Sequence, residues 1–472
     1  MTKEKYDIVI LGGGIAGYSA AIRASQLGKS VAIVEKSKLG GTCLHQGCIP
    51  TKTFLKSAEV FQLIKNAEKY GVTSENPVLH FQDVMTRKNN IVNAMYQGVK
   101  SLMKRHKIDV FEGVGRLMGA SIFTPQSGTV SVEYEDGTSE LLPNDYVLIA
   151  TGSKPMPLPF LPFDHQQILS SDDLMQLDAL PQSITIIGGG VIGLEFASFF
   201  STVGVEVHII ESGERILPTE TAQTSQMIQQ KLEEIGVQFH LNTQLQEKNI
   251  NKDADGVSFN LDTSFTTEKV LVAIGRKVQT DDLGLDNTKV VRNDRQVIET
   301  NAYMQTADAH IYAAGDVIGQ LQLAHVGAKE GVTAVEHMFN QSPLPIDYDA
   351  MPRCVYTSPE IASIGLNSET AKARGMNYKV VKAPFKANGK AMITTATVPD
   401  GYAELLFEAP SGTLLGASLI GPNVTELINE LSVLQFMNGS AIELGLSTHA
   451  HPSISELLME LGLKFDQQSI HI

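Results

Sequence analysis

One pattern occurs twice in this chain and limits what it can fold into. A short apolar strand, Tyr6-Asp7-Ile8-Val9-Ile10-Leu11, runs into the turn Gly12-Gly13-Gly14-Ile15-Ala16-Gly17. An alanine-rich helix follows over residues 17–27, then a second strand over 30–34 that ends at Glu35. The same order returns as a strand over 184–187, the turn Gly188-Gly189-Gly190-Val191-Ile192-Gly193, a helix over 194–203 and a strand over 205–210 that ends at Glu211. Each acid stands 18 residues after the last glycine of its turn, and the two units lie 176 residues apart.

Strand, glycine turn, helix, strand and acid together make the βαβ unit that binds a dinucleotide. The glycines permit a tight turn and let the backbone approach a pyrophosphate. The helix N-terminus offers unpaired N–H groups and a favourable dipole to the phosphates, and the acid accepts from ribose hydroxyls. Two such units predict two nucleotides with electron transfer between them. At the second site Glu211 would repel a 2′-phosphate, and the nearest arginine is Arg215, so NAD is expected over NADP.

The fold class expected is α/β, with two Rossmann-like dinucleotide-binding domains and an α+β C-terminal domain. Val147-Leu148-Ile149-Ala150-Thr151-Gly152-Ser153 reads as a buried strand breaking into a turn. Its counterparts are Val270-Leu271-Val272-Ala273-Ile274-Gly275-Arg276 and Ile311-Tyr312-Ala313-Ala314-Gly315-Asp316. Residues 173–181 read as the linker into the second unit. From Asp347 onward no nucleotide signature recurs; strands are predicted over 355–359, 378–381, 402–407 and 414–420, and a helix over 424–437. The domain boundaries expected are 1–150, 151–276, 277–346 and 347–472.

The formal charge of −15, from 37 basic and 52 acidic residues, disfavours nucleic acid and anionic membranes and suits a basic partner, or serves solubility alone. No apolar run approaches the ~20 residues of a membrane helix, and the N-terminus passes into a strand without a signal-like segment. Cys43, Cys48 and Cys354 are the only cysteines, too few for a secreted disulfide framework. A cytoplasmic protein is therefore expected.

Cys43 and Cys48 lie shortly after Glu35, at the start of a predicted helix whose first turn Pro50 should distort. A helix N-terminus and the nearby Lys52 both favour thiolate. The pair reads as a redox disulfide; a structural bridge and a metal site are the other readings. A metal would need further ligands at suitable spacing, and His45 makes only a third local one.

Gly-Gly-Thr-Cys-Leu-x-x-Gly-Cys-Ile-Pro-x-Lys over residues 40–52, after a glycine-rich βαβ unit, resembles the flavin-linked pyridine nucleotide–disulfide oxidoreductases. The Ala150-Thr151-Gly152 turn, the second fingerprint, Ala314-Gly315-Asp316 and the tail His451-Pro452 with Glu456 match that family in order, so the resemblance spans essentially the whole chain. Within the family the chain is most similar to the dihydrolipoamide dehydrogenases, since Glu211 favours NAD and no C-terminal cysteine pair is present. Arg353-Cys354 ahead of Tyr356-Thr357-Ser358-Pro359 resembles those of bacterial branched-chain 2-oxo acid complexes. A reductase of another low-molecular-weight disulfide, driven by NAD(P)H, and a flavoprotein subunit without catalysis are the rival readings. The departures are His45 where asparagine is commoner, Thr51 where serine is usual and Val278 where proline is frequent.

The resemblance implies FAD and NAD as cofactors, with Cys43 exchanging with substrate and Cys48 facing the flavin. It implies that His451 is the acid/base, oriented by Glu456 and reached across a homodimer, and that the His451–Pro452 bond is cis. FAD is expected at Gly12, Gly14, Gly17, Glu35, Lys36, Gly41, Thr42, Lys52, Gly115, Thr151, Gly152, Asp316 and Ala324. NAD is expected at Gly188, Gly190, Gly193, Glu195, Glu211 and Gly275, and no metal is expected. His449 is read as structural and Cys354 as a buried small hydrophobe. The partners implied are a second copy and the lipoyl and subunit-binding domains of a 2-oxo acid dehydrogenase acyltransferase.

Overall fold

The computed structural model describes residues 5–120 and 128–472. The chain forms two compact units. One is built from Met1–Pro50, Thr86–Met156 and Arg276–Tyr348, the other from Thr51–Met85, Pro157–Gly275 and Asp349–Ile472.

The first unit is organised on a five-stranded parallel sheet. Its strand order is Ile311–Ala313, Asn144–Ile149, Tyr6–Leu11, Val31–Glu35 and Asp109–Glu112. The central strand is almost continuously apolar because both faces of a parallel sheet are covered, and Ile8, Val9 and Ile10 are fully buried. Ile8 pairs with Val31 on one side and Tyr146 on the other. The helix Ile15–Gln26 buries Ala16, Ala20, Ala21 and Ala24. These small side chains let the helix Ala324–Met338 lie close by: a Cβ at Gly331 would stand 2.4 Å from the Ala16 carbonyl oxygen. A three-stranded antiparallel sheet, Val114–Leu117, Val130–Glu133 and Ser139–Leu142, completes this unit's β structure together with the short antiparallel pair Ser153–Pro155 and Arg276–Val278.

The second unit carries another five-stranded parallel sheet, in the order Gln238–His240, Glu206–Ile210, Ser183–Ile187, Lys269–Val272 and Ile168–Leu169. It also carries a five-stranded antiparallel sheet, in the order Arg353–Val355, Glu360–Gly365, Leu414–Gly421, Tyr402–Glu408 and Tyr378–Pro384. The helices Val424–Phe436, Ala441–Leu446 and Glu456–Phe465 share that sheet's core through Ile428, Leu431, Leu444, Leu458 and Leu461.

The fold class matches the expectation, and four local readings are corrected. The strand expected over 355–359 ends at Val355. The Tyr356 N–H is donated to the Glu195 carboxylate at 3.0 Å rather than to a neighbouring strand, and Pro359 has no N–H to give. A strand resumes at Glu360, where sequence reading placed none, and pairs along its length with Leu414–Gly421. Residues 173–181 contain the 3₁₀ turn Asp173–Gln176, with Leu174 and Met175 buried in the core, so the supposed linker is packed. Pro50 leaves the helix Cys48–Lys65 unbroken, because it falls in the first turn, where N–H groups have no intrahelical acceptor.

The helix Ala324–Met338 also carries Glu330, which is only 1% exposed. Its Oε2 accepts from the Gly315 N–H at 2.7 Å and its Oε1 from the Tyr348 hydroxyl at 2.9 Å. Burial pushes its carboxyl up to about 7; the two donors pull the other way, and the charge of Asp316 adds to the rise. Its usual value is 4.5. An acid raised in this way binds more protons folded than unfolded between the two values. Stability therefore falls as pH rises from about 4.5 to about 7 and levels off above that. Glu330→Gln removes the dependence. Its thermal midpoint relative to the parent protein is expected to rise progressively from pH 5 to pH 8, by an effect on the order of 1–3 kcal/mol. A difference that stays constant with pH would show that Glu330 is ionised in the fold throughout that range.

Candidate active site

In the first unit the Gly12 N–H continues the strand bond to the Val34 carbonyl at 2.8 Å, and the chain then turns with Gly12 at φ +104°. A Cβ on Gly12 would stand 2.3 Å from the Ala150 carbonyl oxygen, so only glycine fits. Glu35 returns to this turn: Oε2 accepts from the Gly13 N–H at 2.7 Å and Oε1 from the Ser37 N–H at 2.8 Å.

The second unit repeats the arrangement. Gly188 bonds to the Ile210 carbonyl at 2.9 Å and turns at φ +113°. Glu211 accepts from the Gly189 N–H and the Gly213 N–H, both at 2.7 Å. Arg215 is engaged elsewhere, donating to the Pro218 carbonyl at 3.2 Å and to Glu369 at 3.4 Å.

Both turns fit a dinucleotide. A Cβ on Gly190 would meet nothing within 4 Å, and one on Gly14 would meet only the Gly41 Cα at 3.9 Å, so the backbone ahead of each helix is open to a phosphate. Gly17 and Gly193 sit against the carbonyl oxygens of Gly12 and Gly188, which lets each helix start close to its strand.

The cysteine-bearing segment is fastened to the first turn. The Gly40 N–H donates to the Gly13 carbonyl at 2.8 Å, and a Cβ on Gly41 would stand 2.8 Å from the Gly14 Cα. The short helix Gly41–His45 then carries Thr42 and Cys43. The Gln46 N–H donates to the Thr42 carbonyl at 2.8 Å, and a Cβ on Gly47 would lie 3.3 Å from the Cys43 Cα. The chain therefore doubles back and brings Cys48, the first residue of the helix Cys48–Lys65, close to Cys43. Both cysteines are half-buried. Burial raises the Tyr18 phenol on the helix Ile15–Gln26, and the charge of Cys43 raises it further, which places Cys43 within electrostatic reach of that helix.

Other predicted residues of the first unit meet around Gln279. Lys36 Nζ donates to its side-chain oxygen at 3.0 Å, and Thr151 Oγ1 donates to its carbonyl at 2.6 Å. Asp316 accepts from the Ser153 hydroxyl, which in turn accepts from Arg276 Nε at 2.7 Å. Gly152 has positive φ, and Ala324 opens the helix Ala324–Met338; Gly275, in the second unit, also has positive φ. At Gly115 a Cβ would press on Leu11 at 2.5 Å, so core packing already accounts for that glycine.

In the second unit Lys52 and Glu195 are brought together. Lys52 Nζ donates to the two carboxylate oxygens at 2.9 and 2.8 Å, and it lies 4.7 Å from the centroid of the Tyr356 ring. The Glu195 side chain is 3% exposed, so this is no surface ion pair. Removing Lys52 would leave the buried Glu195 carboxylate without its counter-charge.

His451 Nδ1 lies 2.9 Å from Glu456 Oε1, while Glu456 Oε2 accepts from the Ser453 N–H at 2.8 Å. That backbone bond, and then the one to His451, hold the Glu456 carboxyl below its usual value. A proton kept on Nδ1 by the carboxylate leaves Nε2 as the basic nitrogen. The His451–Pro452 bond is cis, and the His451 side chain is 82% exposed in the single chain. His449 bonds to Glu430 at 2.6 Å and to the Ser447 carbonyl at 2.9 Å. Cys354 was expected to be buried; it is half-buried against the core of the C-terminal sheet, and desolvation pushes its thiol up to about 12. Among the described residues no three His, Cys, Asp or Glu side chains are placed to hold a metal ion.

Sequence reading missed Glu330, Gln279, Ser153 and Tyr356. Only Glu330 left a signal, an acid between Gly327 and Gly331 on a helix face otherwise made of small and apolar residues.

Residues 6–331 match the family model described as pyridine nucleotide-disulphide oxidoreductase, and residues 351–461 match that family's dimerisation domain. A dihydrolipoyl dehydrogenase of Bacillus subtilis is 44% identical, with 99% of each chain covered. One from Zymomonas mobilis is 36% identical, again over 99% of each. Among solved structures, LpdA of Mycobacterium tuberculosis superposes with a TM-score of 0.90 at 26% identity, covering 97% of this chain and 99% of that one. The HOCl-induced flavoprotein disulfide reductase RclA of Escherichia coli, solved as a Cu(II) complex, gives 0.85 at 26% identity, over 98% and 99%. With the whole length matched and both nucleotide turns and the cysteine pair in place, the chain belongs to the pyridine nucleotide–disulphide oxidoreductase family.

Proposed function

We propose that this chain is an FAD-containing, NAD-dependent dihydrolipoyl dehydrogenase that oxidises protein-bound dihydrolipoamide through a Cys43–Cys48 disulfide. The observation that carries the reading is the fastening of the cysteine segment to the first nucleotide turn through Gly40 and Gly41. Residues 1–150 and 277–346 are assigned to FAD, 151–276 to NAD and 347–472 to pairing of subunits. The Lys52–Glu195 pair is assigned to the flavin, as in the family.

The protein's own residues account for the thiol chemistry. His451 Nε2 takes the proton of a dihydrolipoamide thiol, and the thiolate attacks Cys43 Sγ; the Cys43–Cys48 bond breaks and Cys48 leaves as a thiolate. The sulfur of the second substrate thiol then attacks the mixed disulfide, Cys43 leaves with that thiol's proton, and lipoamide is released. Glu456 keeps the ring oriented and stabilises its cation. Two electrons and two protons have then passed from substrate to enzyme. Bound FAD supplies the two-electron acceptor for the dithiol and the hydride donor for NAD+.

The His451 side chain is largely exposed in the single chain. We assign it to the active site of a second copy, so the homodimer is the catalytic unit. Val433, Phe436, Met437, Ile442 and Leu446, each more than half exposed on the helices of the C-terminal sheet, are the apolar surface such a pairing would cover. The acidic surface fits docking on a basic subunit-binding domain of a 2-oxo acid dehydrogenase acyltransferase, within the cytoplasm.

Anaerobic titration with dihydrolipoamide is expected to give a long-wavelength thiolate-to-flavin band, absent from Cys48→Ser. His451→Gln is expected to lower lipoamide turnover by about 10²–10⁴-fold while dye reduction from NADH survives. NAD should be preferred over NADP in steady-state assays. Faster NADPH-driven reduction of glutathione or another small disulfide than NAD-linked oxidation of dihydrolipoamide would overturn the assignment.

A further inference from the structure

His45 stands between the two cysteines and takes no part in the chemistry above. Its Nε2 lies 2.9 Å from the Leu39 carbonyl oxygen, a group that can only accept, so Nε2 carries the proton and donates. Its ring meets Tyr96, on the helix Phe81–Arg105, edge-on at 5.4 Å and 69°. Leu39 is itself in the core at 6% exposure. The donor comes from the last residue of the helix Gly41–His45, and the acceptor sits just before its N-cap, Gly40. One imidazole therefore closes both ends of the turn that presents Cys43. A five-residue helix is too short to hold its own shape in water. At the N-terminal end it is fastened by the Gly40–Gly13 hydrogen bond, and at the C-terminal end by the Gln46–Thr42 hydrogen bond and His45.

We propose that His45 is a positioning residue for the redox pair: its Nε2–H clamp on Leu39 holds Cys43 against Cys48 and so favours the disulfide over the dithiol. The inference rests on the Cys43–Cys48 redox reading given above. Two thiols held close have a high effective concentration for each other, and loosening the segment that carries one of them lowers it. The clamp acts on the position of the sulfur and not on the reacting atoms.

The test is the equilibrium of the holoenzyme with dithiothreitol at fixed pH. There the Cys43–Cys48 bond opens to two thiols as dithiothreitol loses two electrons and two protons to form its cyclic disulfide. Acid quench, alkylation and mass analysis read the ratio at Cys43 and Cys48. His45→Ala and His45→Phe are each expected to shift the equilibrium toward the dithiol by about tenfold, or about 30 mV for this two-electron couple. His45→Gln, which keeps an N–H donor of similar reach, should stay within about threefold of the parent protein. Three outcomes overturn the proposal: Ala and Phe both within about twofold, Phe unchanged while Ala shifts, or Gln moving as far as Ala. Dihydrolipoamide titration of the unmutated holoenzyme separates the two readings. A missing thiolate-to-flavin band there would count against the functional assignment, whereas the dithiothreitol comparison bears on His45 alone.

Discussion

The site depends on a backbone contact, the Gly40 N–H on the Gly13 carbonyl at 2.8 Å, with Gly41 against Gly14 beside it. The first glycine turn and the segment that carries Cys43 are thereby one piece of structure. No side chain intervenes, so the spacing between them is fixed by peptide geometry and cannot relax by changing a rotamer. The glycines at 40 and 41 are needed for this approach, and they explain why the Gly-Gly pair sits immediately ahead of Thr42-Cys43. Redox chemistry in a cysteine-poor chain becomes local to a nucleotide because the two loops touch through their main chains.

Within each unit, key acids are held through the main chain as well as through side chains. Lys52 and Glu195 neutralise each other under the Tyr356 ring, with the Tyr356 N–H as a further donor. Glu330 receives two donors and lies close enough to Asp316 to feel its charge. Glu456 is held by a backbone N–H as well as by His451, so the imidazole is aimed by a carboxylate that is itself fixed. Each acid has a main-chain partner besides its side-chain one, which fixes the position of the charge more firmly than a pair of mobile side chains would.

The parts of this arrangement that were legible in the sequence are those with a local period or spacing. Both glycine turns, both acids, the cysteine pair and the long helix ending at Phe436 follow from runs of adjacent residues, and each lies within a residue or a few of where it was expected. What escaped depends on pairings distant in the chain. The strand Glu360–Gly365 was hidden because its partner, Leu414–Gly421, lies about fifty residues on. Tyr356 looked like a strand residue until its N–H found Glu195, 161 positions earlier. Gln279 gathers Lys36 and Thr151 from separate stretches, and no single window of sequence contains the three. Glu330 belongs with these: the burial that raises its carboxyl arises only when its helix meets Ala16 and its neighbours.

The acids that close the two glycine turns have a consequence for coenzyme engineering. Glu35 and Glu211 each bridge two backbone N–H groups, one in the glycine turn and one just past the strand, before any nucleotide is considered. Each carboxylate is thus a staple across its own turn. Exchanging Glu211 for a neutral or basic residue to admit a 2′-phosphate would strip two donors of their acceptor at the same moment. Altering the coenzyme preference of this fold is therefore as much a matter of restitching a loop as of changing a charge, and a graft that brings its own acceptor for Gly189 and Gly213 has the advantage over a point substitution.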